Sequence, residues 1–147
     1  MTEIAVRRAA EPDFEVVAAL LGELGRTPIS DETRSSFRFE YLRQLHDPSC
    51  VHLVAESDGE VVGFCVMHLR RRLSRVTPEA WIPDLIVTEA ARGTGAGGAL
   101  MVRAIETARE WNCHRVCLES GHPRSRAHEF YRGGGMKEAG YYYSLEL

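Results

Sequence analysis

Apolar and polar residues recur at regular intervals along most of the chain, and these intervals predict its first elements. Residues 3–9 (EIAVRRA) alternate as in a β-strand. Residues 11–25 begin with an acidic turn and Pro12 and then place apolar residues at helical spacing, which predicts a helix. Residues 30–46 repeat large apolar side chains four positions apart and predict a second helix.

A β-hairpin is predicted next. Two apolar runs within residues 51–71 flank the dipeptide Asp58-Gly59, which favours a tight turn between antiparallel strands. Residues 80–87 (AWIPDLIV) continue the sheet, but Pro83 has no N–H to donate to a neighbouring strand. We therefore expect a sheet edge or a β-bulge at this proline.

The C-terminal half completes a mixed sheet. The pattern predicts a helix over 99–111, a strand over 114–120, a short helix over 125–132 and a final strand over 140–147. The order β-α-α-β-β-β-α-β-α-β predicts an α/β fold of the mixed α+β type, with a mostly antiparallel sheet of about six to seven strands flanked by about four helices. We expect a single domain over residues 1–147, with a right-handed crossover between the strands at 80–87 and 114–120.

Composition narrows the classes of function. Apolar residues make up 44% and charged residues 27% of the chain, as in globular proteins. A net charge of −3 gives no general attraction to phosphate backbones, so we expect no nucleic-acid partner. No long apolar run or signal segment is recognisable, so we expect no membrane partner and a cytoplasmic location. The six histidines show no metal-ligand spacing, and we expect no metal.

Four glycines, Gly93, Gly95, Gly97 and Gly98, stand where the helix over 99–111 begins. Glycine inside a helix costs about 1 kcal/mol relative to alanine, so the local sequence opposes the helix it introduces. The first amides of a helix have no intrahelical acceptor and carry the positive end of the helix dipole. Bare backbone at this position therefore favours a phosphate site, with a ligand-free glycine-rich helix cap as the alternative.

Two patterns fit these glycines. Gly93 to Gly98 satisfies the dinucleotide fingerprint G-x-G-x-x-G, and Glu119 lies at the distance where that fingerprint has an acidic residue. The fingerprint requires its first glycine at the end of a strand, however, and TEAAR separates Val87 from Gly93. Too little chain follows Gly98 for the rest of a dinucleotide-binding sheet. The second pattern, Arg92-x-x-Gly95-x-Gly97, has neither problem.

The segment DLIVTEAARGTGAGGALM resembles the acetyl-CoA loop of the GNAT superfamily of N-acetyltransferases, and AHEFYRGGGM is similar to a second motif of that superfamily. The order of elements over the whole chain agrees with this resemblance. It implies a single acetyl-CoA-dependent N-acetyltransferase domain over 1–147, with acetyl-CoA as cosubstrate. The residues that the resemblance places against the coenzyme are Ile86, Val87, Arg92, Gly93, Thr94, Gly95, Ala96, Gly97 and Gly98. Arg124 stands where the superfamily often has asparagine, and we expect it to reach a coenzyme phosphate.

Acetyl transfer to an amine needs a base, a donor to the carbonyl oxygen and a proton for the departing thiolate. Tyr131 matches the superfamily's general-acid tyrosine, with packing of its helix as the alternative. Asp84 is a candidate general base, with the binding of backbone amides at the bulge as the alternative. The resemblance also implies a backbone amide donor around Ile86 to Thr88.

The acceptor is expected to be a small-molecule primary amine, such as a polyamine, aminoglycoside or amino acid, acetylated directly in a ternary complex. Trp81 and His122 flank the predicted cleft and are candidates to contact it. A protein or peptide acceptor (an N-terminus or a lysine) and a non-catalytic acyl-CoA-binding sensor are the alternatives. The tyrosines at 141–143 favour either a homodimer or the interior of a sheet.

Overall fold

The computed structural model describes residues 3–121 and 124–147. In chain order its strands and helices are β1 (Ile4–Arg8), α1 (Phe14–Glu23), α2 (Arg34–Leu45), β2 (Cys50–Ser57), β3 (Glu60–Arg70), β4 (Glu79–Val87), α3 (Ala96–Glu110), β5 (Val116–Cys117) and α4 (Ser125–Gly133). Short 3-10 turns occupy Glu11–Asp13 and Glu89–Ala91. The described chain divides into two compact units, Met1–Cys117 and Leu118–Leu147.

The sheet of the first unit has the order β1-β2-β3-β4-β5. Its first four strands are antiparallel, and β5 runs parallel to β4 after the crossover through α3. The mixed α+β fold with four helices confirms the prediction from the sequence. The described residues contain five strands, however, and not six to seven.

Two local sequence signals produce the expected backbone. Asp58 and Gly59 adopt positive φ angles of 51° and 79°, as a two-residue turn between β2 and β3 requires. The pairing of β3 with β4 changes register beside Pro83, because Val66 faces Asp84 whereas His68 faces Trp81. One extra residue is therefore inserted in β4, and the predicted bulge is confirmed.

The bulge changes which side chains share a face of the sheet. Trp81 and Asp84 are three residues apart and would lie on opposite faces of a regular strand. Because of the extra residue, both share the face on which β3 places His68 and Val66. Helices α1 and α2 pack on this face, around buried residues such as Phe14.

Helix α3 covers the opposite face. Its buried residues, Ala96, Leu100, Ala104 and Ala108 among them, recur every four positions and form one stripe. The helix approaches the sheet closely at Gly63, where an added Cβ would lie 3.0 Å from the Leu100 side chain and 3.2 Å from the Ile86 carbonyl oxygen. The small residues of this stripe thus bring α3 against the strands that lead to its own N-terminus.

In the second unit, α4 ends in a glycine-based cap. Gly135 has φ 89°, and the amides of Gly135 and Met136 donate to the carbonyls of Arg132 and Tyr131 at 3.0 and 3.1 Å. This pair of bonds is a Schellman motif, in which glycine allows the left-handed residue that stops a helix. The run GGGM is therefore a defined helix end.

Of the last two predicted strands, the one over 114–120 is much shorter in the structure, and the one over 140–147 does not form in the described residues. The strand predicted over 114–120 is only Val116–Cys117, and residues 137–147 of the described chain form neither helix nor strand. A strand is stabilised by hydrogen bonds to a neighbour, and β5 offers only two residues of pairing. Alternation alone was therefore an insufficient signal, and Tyr141 to Tyr143 are exposed.

The part of the chain that the structure describes contains no helix long and apolar enough to cross a membrane. Within the same residues, no three His, Cys, Asp or Glu side chains are grouped so that they could hold a metal ion.

Candidate active site

The outer edge of β4 is the first feature of the site. Within the described residues β4 pairs with β5 only at Ala80 and Trp81, so the strand runs on without a partner on that side. The Thr88 amide donates to the Val62 carbonyl at 2.8 Å, toward β3. In an antiparallel ladder such bonds alternate, so the amide of Val87 points away from β3. Among Ile86 to Thr88, the residues predicted to supply an amide donor, Val87 thus has its N–H on the edge of β4 that faces away from β3.

The segment after β4 turns sharply into α3. Gly93 and Gly95 have φ angles of 80° and 94°, the left-handed region in which side chains are strained. Gly95 is the N-cap, and the first helical bond runs from the Ala99 amide to the Gly95 carbonyl at 3.0 Å. The amides of Ala96, Gly97 and Gly98 therefore have no acceptor within the helix.

Gly98 differs from these two glycines, because nothing in the fold explains it. It lies in ordinary helical backbone, and a Cβ added there would meet no atom within 4 Å. Alanine would suit the helix better by about 0.5–1 kcal/mol. A ligand that touches the backbone at the start of α3 would account for the missing side chain. The bare helix start thus fits a phosphate group in both charge and space.

Arg92 stabilises the segment between β4 and α3. Its Nε donates to the Val87 carbonyl at 3.1 Å, and its guanidinium lies 3.8 Å from a carboxylate oxygen of Glu23. The Thr94 hydroxyl donates to the Ala91 carbonyl at 2.5 Å. These contacts fix the loop conformation before any ligand arrives.

Glu23, which sequence analysis missed, anchors the same loop to α1. Its carboxylate accepts hydrogen bonds from the Thr88 hydroxyl at 3.0 Å and the Glu89 amide at 2.7 Å. An acidic residue at the C-terminus of a helix opposes the helix dipole, and that conflict is the signal that could have revealed it. Glu23 thereby connects α1 with the start of the glycine segment.

Among the residues that the structure describes, Asp84 binds an arginine and accepts no bond from the backbone amides considered as the alternative. Nε of Arg26 donates to a carboxylate oxygen of Asp84 at 2.7 Å, and the same guanidinium donates to the Pro83 carbonyl at 2.9 Å. The Asp84 side chain is 21% exposed. Arg26 thus fixes both the carboxylate and the bulge beside it.

A cavity of about 210 Å³ opens on this face of the sheet. Its floor includes His52, Val66 and Asp84, which are cross-strand neighbours on β2, β3 and β4. Its walls come from α1, α2 and the intervening loop, and consist of Phe14, Val17, Ala18, Leu21, Ile29, Phe37, Glu40, Tyr41 and Gln44, with Phe64 on the sheet side. The cavity is mostly apolar, with its polar groups on the sheet and on α2.

The polar groups of the cavity form a chain of hydrogen bonds. Gln44 donates to Glu40 at 2.9 Å, so its carbonyl oxygen is left to accept from Nε2 of His52 at 2.8 Å. Burial lowers the pKa of His52 to about 4, and the imidazole is neutral at pH 7. Hydrogen bonds from Arg43 and Gln44 lower the pKa of Glu40 to about 2, so this carboxylate is charged.

The other predicted site residues lie elsewhere. Trp81 is half-buried beside the Arg70 guanidinium, 5.3 Å from the ring centre, and does not line the cavity. Tyr131 and Arg124 belong to the second unit, where Arg124 is the N-cap of α4 and the Tyr131 ring lies 5.4 Å from the Phe130 ring. His122 falls outside the described residues.

The chain matches known proteins over most of its length. The model of the acetyltransferase (GNAT) family matches residues 12–136. The chain is 29% identical over 142 residues to an aminoalkylphosphonate N-acetyltransferase of Salmonella typhimurium, covering 97% of this chain and 90% of the relative. It is also 29% identical over 142 residues to a Bacillus subtilis protein whose provisional name gives alanine of ribosomal protein bS18 as its acceptor, covering 95% of this chain and 84% of that protein.

A solved structure shares the fold. The crystal structure of a transcriptional regulator from Bacillus halodurans C-125 superposes with a TM-score of 0.91 at 25% sequence identity, covering 99% of this chain and 100% of that one. The family match, the relatives and the fold agree with one another. The chain belongs to the GNAT family of acetyltransferases and is an acyltransferase.

Proposed function

We propose that residues 1–147 form a single acetyl-CoA-dependent domain. This domain moves the acetyl group directly to the primary amine of a small molecule in a ternary complex. The bare start of α3 at Gly98 carries the proposal, because the fold itself does not explain it. Cytoplasmic location, a homodimer and the absence of nucleic-acid, membrane and metal partners stay predictions from the sequence.

The start of α3 is the proposed binding site for the coenzyme. The unbonded amides of Ala96, Gly97 and Gly98 suit its pyrophosphate, and the left-handed Gly93 and Gly95 shape the turn around it. Arg92 and Thr94 hold that turn through their bonds to the backbone. The free edge of β4 at Ile86 and Val87 then receives the acyl end, and Arg124 contacts a phosphate.

Acetyl-CoA supplies a thioester: a C–N bond to the amine forms, the C–S bond breaks, and the proton lost by the amine is balanced by one gained by the thiolate. The N–H of Val87 donates to the carbonyl oxygen, on which negative charge develops. Tyr131 provides the proton for sulfur, as the family motif implies. Asp84, whose carboxylate is bonded to Arg26, remains the candidate base for the protonated acceptor.

The cavity supports a small acceptor over a protein one. Its volume of about 210 Å³ lies below the range of about 300–1,000 Å³ that is typical of sites for drug-sized ligands. Trp81 and His122 are also proposed to contact the acceptor. A peptide N-terminus remains the second candidate, because the Bacillus subtilis relative is named for such an acceptor.

The test follows thiol release from acetyl-CoA with small amines, aminoglycosides and peptides that have a free N-terminus. We expect release with small amines, slowed by about a hundredfold in Tyr131→Phe and abolished in Gly95→Glu, which blocks the helix start. Release with peptides alone would select the protein acceptor. Coenzyme binding without release for any acceptor would select the non-catalytic sensor.

A further inference from the structure

The bulge in β4 makes the second half of this strand depend on contacts from outside the sheet. Ile82 and Pro83 both lie opposite Met67 of β3, so two residues of one strand face one of the other. At such a bulge the regular ladder is interrupted and the strand bends. Pro83 also has no N–H that could bond a neighbouring strand. The position of the following segment, up to Val87, is therefore set in part by whatever holds the bulge.

Arg26 binds two successive residues at the bulge. Its Nε donates to the Asp84 carboxylate at 2.7 Å, and a terminal nitrogen of the same guanidinium donates to the Pro83 carbonyl at 2.9 Å. A planar guanidinium that bonds two acceptors at once fixes the position of one relative to the other. The Arg26 side chain is 50% exposed, and ion pairs at this exposure contribute little to the stability of a fold. The geometry therefore favours a role other than stability.

The backbone of Arg26 is tied to the end of α1. Gly25 has φ 92°, the left-handed conformation that ends many helices. The Gly25 amide donates to the Gly22 carbonyl and the Arg26 amide to the Leu21 carbonyl, both at 3.1 Å. These two bonds form a Schellman motif, in which Arg26 is the first residue after the left-handed glycine. Arg26 thus extends toward β4 from a fixed helix end.

The same end of α1 holds the chain at a second point. The Glu23 carboxylate accepts from the Thr88 hydroxyl and the Glu89 amide, immediately after β4 ends. Asp84 and Thr88 are four residues apart, which is about 13 Å along a strand. Arg26 and Glu23 therefore bind the chain on either side of Val87, whose N–H points away from β3.

We propose that Arg26 is a positioning residue for acetyl transfer. By holding the bulge at Pro83 and Asp84, it places the Val87 amide where negative charge develops on the thioester carbonyl oxygen. A displacement of about 1 Å at a group that acts in the transition state can lower a rate about a hundredfold. The start of α3, which is the proposed phosphate site, does not depend on Arg26. This inference rests on the proposed acetyl transfer and predicts an effect on kcat but not on coenzyme binding.

The first arm of the test separates kcat from KM. Both are measured by thiol release from acetyl-CoA, with whichever amine of the panel the parent protein acetylates fastest. Arg26→Ala is expected to lower kcat about 10- to 100-fold and to change KM for acetyl-CoA by less than about twofold. Arg26→Lys keeps the charge without the planar fork and is expected to lower kcat less than Arg26→Ala does.

Arg103 supplies the matched control. It is similarly exposed, at 43%, and pairs with Glu106 one turn away on α3, at 3.5 Å. Arg103→Ala is expected to leave kcat and KM unchanged. An unchanged kcat in Arg26→Ala, or a raised KM with the parent kcat, would overturn this inference and leave the proposed function intact. Absence of thiol release by the parent protein would instead overturn the proposed function.

The second arm needs no acceptor. Backbone amide chemical shifts are measured by NMR for the parent protein, Arg26→Ala and Arg103→Ala, each with coenzyme A bound. Arg26→Ala is expected to move the amide signals from Asp84 to Val87 and to leave those in the middle of α3 unchanged, which also shows that the variant is folded. Arg103→Ala is expected to leave the signals from Asp84 to Val87 unchanged. An unmoved Val87 signal in Arg26→Ala would show that Arg26 does not act through β4 and would overturn the inference.

Discussion

Replacing Gly98 by alanine separates the needs of the fold from those of a ligand. The added Cβ meets no atom within 4 Å in the structure, and the backbone there is helical. Loss of backbone freedom in the unfolded chain should stabilise the variant by about 0.5–1 kcal/mol. For a domain of this size that raises Tm by about 1–4 °C. A stabilised fold is thus expected from a substitution within the proposed coenzyme site.

The same methyl group should weaken coenzyme binding. It stands beside the amides proposed to receive phosphate oxygens, and loss of one charge-assisted hydrogen bond costs about 1.5–3 kcal/mol. We therefore expect Kd for coenzyme A to rise about 10- to 100-fold. Calorimetric titration measures Kd and differential scanning calorimetry measures Tm.

Gly22 supplies the matched control. It lies in α1, its added Cβ also meets no atom within 4 Å, and no part of the proposed coenzyme site includes it. Gly22→Ala should raise Tm by a similar amount and leave Kd unchanged. An unchanged Kd in Gly98→Ala would refute the assignment of the start of α3 to the coenzyme.

Three further predictions test the supporting structure. Glu23→Ala removes the acceptor of the Thr88 and Glu89 hydrogen bonds and should raise Kd for coenzyme A about 3- to 10-fold. Glu23→Gln keeps one acceptor oxygen and should raise this Kd less. Equal Kd values for the two variants would contradict the anchoring role of Glu23. Val87→Pro removes an amide that does not bond β3 and should lower kcat about a hundredfold. Leu85→Pro is the control, because the Leu85 amide lies on the same edge of β4. Equal losses of kcat in the two variants would argue against Val87 as the donor. Burial alone would raise the pKa of Glu79, but hydrogen bonds from Arg115, Arg72 and Arg70 outweigh it and lower that pKa to about 2. The stabilisation by the Glu79 carboxylate is therefore complete above about pH 4.5 and is lost as the pH falls toward 2. Glu79→Gln should lower the free energy of unfolding by about 2–3 kcal/mol at pH 7 and reduce its dependence on pH below about 4.5. If urea titrations of the variant showed the same loss of stability at low pH as the parent protein, this prediction would be contradicted.

Local signals in the sequence predicted the elements that depend on one or two residues. Asp58-Gly59 set the hairpin, Pro83 set the bulge, and the glycines before α3 marked the proposed coenzyme site. In each case the conformation follows from the covalent structure of the residue itself. Such features need no knowledge of distant contacts.

Contacts between residues that are distant in sequence could not be predicted from such local signals. Arg26 meets Asp84, Glu23 meets the start of the loop, and Arg115 meets the buried Glu79, across 58, 66 and 36 positions in sequence. The alternating pattern at 140–147 predicted a strand that the described residues do not form, because alternation does not specify a partner. The cavity also depends on the packing of α1 and α2 and has no local signature.

The most direct test of the proposed function is product analysis by mass spectrometry. The protein is incubated with acetyl-CoA and, in separate reactions, with each small amine of the thiol-release panel, and the acetylated amine and free coenzyme A are quantified together over time. Direct transfer predicts that the two products accumulate in equal amounts and that Gly95→Glu forms neither. Coenzyme A released without acetylated amine, or no turnover despite tight coenzyme binding, would contradict the proposed transfer.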